Sequence, residues 1–97
     1  MENNSTSNKD QLVLVNIIEE FVRIQVRHSM KEHGACQCET CYLNACALAL
    51  NDLAPKYVTT TKGALLAEIS AMEPNNHIGI LVAVTKAVML VAETPHH

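Results

Sequence analysis

Apolar and polar positions along the chain alternate in four long stretches of helical character, parted by three breaks. In the first stretch Leu14, Val15, Ile17, Ile18, Phe21, Val22 and Val26 cover most of the helix surface outside one narrow stripe. The polar positions Asn16, Glu20, Arg23 and Arg27 recur at spacings of four, three and four, which gathers them into one narrow stripe of an α-helix ending near Glu32. Ser7, with Asp10 three positions on, resembles a capping box for its start. Gly34 closes this helix. A second is predicted from Glu39 or Thr40 to Asn51, and Pro55 forbids its continuation because proline lacks an N–H and disfavours helical geometry in the preceding Ala54. The run "KYVTTT" reads as short, extended and polar. Thr60 or Thr61 then caps a third helix through Met72, with Leu65, Leu66, Ile69 and Met72 on one side. Pro74-Asn75-Asn76 reads as a turn before "HIGILVAVTKAVMLVAE". Valine favours strands, but an unbroken run of about 17 residues exceeds ordinary strand length, so a buried fourth helix is expected.

The pattern predicts an all-α fold, a small bundle of about four helices in a single domain at residues 9–97, behind an Asn/Ser-rich, disordered lead at residues 1–8. The first helix carries more apolar surface than one small domain buries, and a partner subunit in an intertwined homodimer is the simplest cover.

Composition sharpens this picture. A 97-residue chain buries only roughly 60–65% of the surface its unfolded form exposes, so it gains from a staple or a partner. With no Trp, one Phe and two Tyr, the core must be aliphatic. A net charge of -3 argues against duplex nucleic acid, which selects basic domains. The polar start "MENNSTSNKDQL" lacks the charged and apolar regions of a signal peptide, so a cytoplasmic location is expected. The fourth helix, with Lys86 in its middle, falls short of the ~20 residues that cross a bilayer, and no membrane association is expected.

All four cysteines lie in "HGACQCETCYLNAC", residues 33–46. In a reducing compartment such clusters serve as metal ligands or redox groups more often than as disulfide staples. Cys36, Cys38 and Cys41 read C-x-C-x2-C on a glycine-containing loop that enters a helix, a bent backbone from which thiolates converge on zinc. The helix start also favours thiolate over thiol. Cys46 stands five residues past Cys41, about 140° round the helix, and reads as a small buried residue. His33, His28, His77, His96, His97 or Cys46 remain open as the fourth ligand. An iron–sulfur cluster, a redox switch and unmetallated cysteines compete with structural zinc.

The run "CQCETCYLNACALALNDLAPKYV", between an apolar first helix and two further helices, resembles the late competence protein ComFB family over most of the chain. The resemblance implies a cytoplasmic, mainly helical homodimer with a cysteine-bound zinc in each subunit, carried here by Cys36, Cys38 and Cys41. It also implies a receptor for cyclic dinucleotides, cyclic di-GMP and in some members cyclic di-AMP, acting on motility, competence or cell size through a downstream protein partner. Asn44-Ala45 stands where the family often has Asp-Val, and Cys46 replaces an ordinary apolar residue.

For such a ligand, Arg23 and Arg27 offer guanidinium groups, while Lys56 and Tyr57 offer a charge and a stacking ring, with Thr59 to Thr61 adding hydroxyls. A two-fold dimer presents each set twice, matching a two-fold ligand. The same arginines also suit plain pairing with Glu19 and Glu20. No Ser/His/Asp or paired-carboxylate arrangement stands out, Asp52 and Glu39 read as solvated ends, and a noncatalytic protein is expected. A zinc-dependent protein–protein adaptor and a thiol redox sensor are the alternatives.

Overall fold

The computed structural model describes residues 12–94, so the capping box at Ser7, the lead at residues 1–8 and the terminal His96 and His97 lie outside the described residues. Six elements follow one another: β1 (Leu12–Asn16), α1 (Ile17–Glu32), α2 (Glu39–Asn51), β2 (Tyr57–Thr60), α3 (Thr61–Ala71) and α4 (Pro74–Glu93). Four helices dominate, as the periodicity predicts.

The fold is nevertheless not purely helical. The segment expected as the first turns of the opening helix is a strand, antiparallel to β2, with Leu12 opposite Thr60, Val15 opposite Val58 and Asn16 opposite Tyr57, and an irregular step between the first two pairs. Asn16, expected on the polar stripe, instead caps α1. Its side-chain oxygen accepts from the Ile18 N–H at 3.2 Å and from the Lys56 N–H at 2.8 Å, so one amide fixes both the helix start and the strand partner. A second correction falls at Pro74-Asn75-Asn76. These residues form the first turn of α4 rather than a separate turn, proline standing at a position where a missing N–H costs nothing. α4 therefore runs 20 residues, longer than expected, and has the length and apolar composition to cross a membrane. Ile80, Val84, Ala87, Val88 and Val91 are nonetheless buried against the rest of the chain.

The core sits where α4 packs on α1 and α2. Val22, Val26 and Met30 from α1, Cys41, Ala45 and Ala49 from α2, and Val84 and Val88 from α4 form its centre. Burying a side chain such as Val22 or Met30 contributes about 1.5–3 kcal/mol. Ala45 and Ala49 let the helices approach closely. The opposite end is open: Leu65, Leu66 and Ile69 of α3, Met72 at its cap, and Leu12 and Leu14 of β1 are each more exposed than buried. The molecule measures 54 × 29 × 20 Å, and its radius of gyration of 15.9 Å exceeds the ~13 Å of a compact chain of about 100 residues.

Candidate metal centre

The loop between α1 and α2 is built by a helix end and a helix start. His33 caps α1, and Gly34, at φ 64°, adopts the left-handed conformation that lets the Ala35 N–H reach back to the Met30 carbonyl at 3.0 Å. The chain turns back on itself there. Cys38 then caps α2, its sulfur accepting from the Cys41 N–H at 3.4 Å. This geometry brings the sulfurs of Cys36, Cys38 and Cys41 within 4.8 Å of one another.

Cys36 and Cys38 are exposed, whereas Cys41 is buried. The Cys41 N–H, with smaller help from the neighbouring thiols, holds the Cys38 thiol below its ordinary pKa. Burial acts oppositely on Cys41, pushing it up to about 12, with the Cys38 and Cys36 thiols adding to the effect. The helix start thus eases loss of one sulfur's proton, and burial holds the other's until a cation displaces it. Zinc bonds of about 2.3 Å set tetrahedral sulfurs about 3.8 Å apart, a spacing compatible with a trio held within 4.8 Å, and soft thiolates suit zinc.

Cys46 is not part of the trio. It is buried on the other side of α2, where burial raises its thiol pKa and Tyr42 and the α1 arginines are its polar surroundings. The helical rotation read from the sequence gave the same separation.

Arg27 reaches across from α1 to this loop. It donates to the Gln37 carbonyl at 3.4 Å, pairs with Glu39 at 3.3 Å and lies over the Tyr42 ring at 3.6 Å from its centre. The guanidinium ties the loop to the first helix from three sides. Tyr42 escaped sequence reading altogether, although its place next to Cys41 was a signal; its hydroxyl donates to the Arg23 carbonyl at 3.4 Å. Arg23 itself pairs with Glu19 at 3.1 Å, as the alternative reading of the stripe anticipated.

Lys56 and Tyr57 stand at the other end of α1, where the Ile17 N–H donates to the Lys56 carbonyl at 2.9 Å. Arg23 and Arg27 lie roughly 9 and 15 Å further along the helix axis, so one chain does not bring the four together. Lys56 borders a groove of ≈ 390 Å³ lined by Ile17, Pro55, Ala67, Asn76 and Ile80, among others, and the Tyr57 side chain is largely exposed beside it.

These features define a small, mostly helical domain with a two-stranded ribbon at one end and a three-thiol loop at the other. The ComFB family, described as late competence development protein ComFB, matches residues 15–95, and the chain belongs to it. It is similar to the competence protein ComFB of Bacillus subtilis (strain 168), 29% identical over 69 residues that make up 71% of this chain and 70% of that one. The solved structure of the late competence protein ComFB from Bacillus subtilis superposes with a TM-score of 0.72 at 27% identity, covering 87% of this chain and 93% of that one.

Proposed function

We propose that this protein is a noncatalytic cytoplasmic receptor for a cyclic dinucleotide, cyclic di-GMP or cyclic di-AMP, working as a homodimer whose zinc is structural. Membership in the ComFB family supports the competence-type setting. The observation that carries the ligand reading is the groove of ≈ 390 Å³ bordered by Lys56, with the Tyr57 ring exposed beside it. A flat apolar wall, a cation and a stacking ring suit a base and its phosphate. Dimerisation doubles the set, and a two-fold ligand has two of each group. Arg23 and Arg27, too far along α1 to reach this groove within one chain, join it from the partner subunit, exchanging their present carboxylate partners for phosphate. The zinc would be held by Cys36, Cys38 and Cys41 and supplies folding free energy rather than chemistry.

A second reading, a zinc-dependent adaptor for another protein, is favoured by the uncovered side of α3, where Leu65, Leu66, Ile69 and Met72 face solvent. Calorimetric titration with cyclic di-GMP and with cyclic di-AMP decides between them. Saturable heat that Lys56→Ala and Tyr57→Ala each weaken about tenfold or more, the loss of one stacking or charged contact, is the expected result. No saturable heat with either nucleotide removes the receptor reading and leaves the adaptor.

A further inference from the structure

We infer that His33 supplies the fourth ligand of the metal centre, through Nε2, so that the trio of sulfurs closes into a Cys3His site. This rests on the zinc reading above and adds the residue that completes it. His33 Nδ1 lies 2.9 Å from the Ser29 carbonyl oxygen. A carbonyl only accepts, so Nδ1 carries the proton and donates, and in the neutral ring Nε2 bears the free lone pair. Among the described residues nothing hydrogen-bonds to Nε2. This is the arrangement by which metal-binding histidines are commonly held: one nitrogen donates to a carbonyl, which fixes the tautomer and aims the other nitrogen at the ion. Ser29 is well suited as the seat, being itself almost fully buried on α1.

Position agrees with tautomer. His33, Cys36 and Cys41 share the wall of one cavity of ≈ 150 Å³, with Met30, Ala45 and Val91 as its apolar backing. The imidazole stands outside the 4.8 Å sulfur trio, and the left-handed turn at Gly34, immediately after His33, is the joint about which ring and loop close on each other. The competitors are placed elsewhere. Cys46 is buried on the far side of α2, and His28 pairs with Glu32 at 3.4 Å. His77 opens α4, roughly 21 Å along its axis from Val91. His96 and His97 follow the end of α4 and are therefore tested directly.

The test compares the full chain, His33→Ala, and a chain carrying both His96→Ala and His97→Ala, each loaded with zinc or cobalt(II) without oxygen. The full chain is expected to take one ion and to give the visible bands of tetrahedral cobalt. His33→Ala should still bind through its three thiolates, roughly 100-fold more weakly, at the upper end of what outer-shell losses cost, with shifted bands that added imidazole restores. Long-range proton–nitrogen spectra of the zinc-loaded full chain should show His33 Nε2 on the metal and Nδ1 protonated. Unchanged bands and affinity in His33→Ala, or a shift that appears instead in the His96/His97 variant, overturns the assignment while leaving the three-thiol centre standing. If the full chain takes up neither ion, the zinc reading itself falls, and the assignment with it.

Discussion

The two ends of the molecule treat apolar residues in opposite ways. At the thiol end, α1, α2 and the latter half of α4 bury Val22, Val26, Met30, Ala45, Ala49, Val84 and Val88 in a closed core, while Ile24, Leu43, Leu48, Met89 and Leu90 stand exposed on their outer faces. At the ribbon end, α3 and β1 present Leu65, Leu66, Ile69, Leu12 and Leu14 to solvent, and only Ala67 and Ala71 of α3 are buried. One end is built around a closed core; the other buries little of its apolar surface within the chain. Exposed leucine and isoleucine grouped in this way mark an interaction surface, and the homodimer proposed above is what would cover it.

A matched pair of charges tests that contrast most severely. Val84→Asp sets an unpaired carboxylate in the closed core and should cost on the order of 4 kcal/mol or more, enough to abolish the cooperative melt followed by circular dichroism. Ile69→Asp meets no core, and should leave helicity and melting within about 0.5 kcal/mol of the unmodified chain folded alone while converting a dimer to a monomer in sedimentation. If Ile69→Asp unfolds the chain as fully as Val84→Asp, the two ends do not differ as described.

Removing metal should affect the thiol end selectively. A bound ion at 100 times its dissociation constant stabilises by about 2.7 kcal/mol, so chelation should lower the melting temperature by roughly 10–20 °C in a domain this size. Hydrogen exchange should quicken first between Ala35 and Tyr42. The pH dependence follows from the thiols. Without the ion Cys41 keeps its proton up to about 12, so zinc must displace it, and affinity should fall about tenfold per pH unit on acidification for each proton displaced. Cys38, already lowered by the helix start, contributes less to that slope. A pH-independent affinity between pH 6 and 8 would show that these thiols are not the ligands.

The smallest effect concerns the joint between strand and helix. Asn16→Ala removes the cap of α1 and the bridge to Lys56, and should cost about 1 kcal/mol by urea denaturation. A larger loss accompanied by monomerisation would mean that the ribbon organises the partner surface as well as the helix.

The parts of the fold that were legible in the sequence were those set by local chemistry. Gly34 follows the end of α1 and Pro55 the end of α2, both helices stopping where expected, and Thr60 caps α3, its hydroxyl accepting from the Gly63 N–H at 2.8 Å. The trio of sulfurs was legible because its spacing carries its geometry. β1 was not, because "LVLVN" suits an apolar helix as well as a strand, and its partner β2 lies some 40 residues away, beyond any local signal. Pro74 misled for a related reason: the same residue that breaks a helix interior is welcome at a helix start. Arg27 was singled out for its charge and place on the stripe, but its partners Gln37, Glu39 and Tyr42 come from across the loop, so its bracing role emerges only in three dimensions.

α4 belongs to both ends. Its rod of about 30 Å begins beside α3 and finishes against the cysteine loop, with no break among its described residues. Thiol loop and uncovered apolar surface are therefore joined by a single stiff strut, and a tilt of a few degrees imposed where the sulfurs gather would be carried, lever-fashion, to the exposed leucines at the far end.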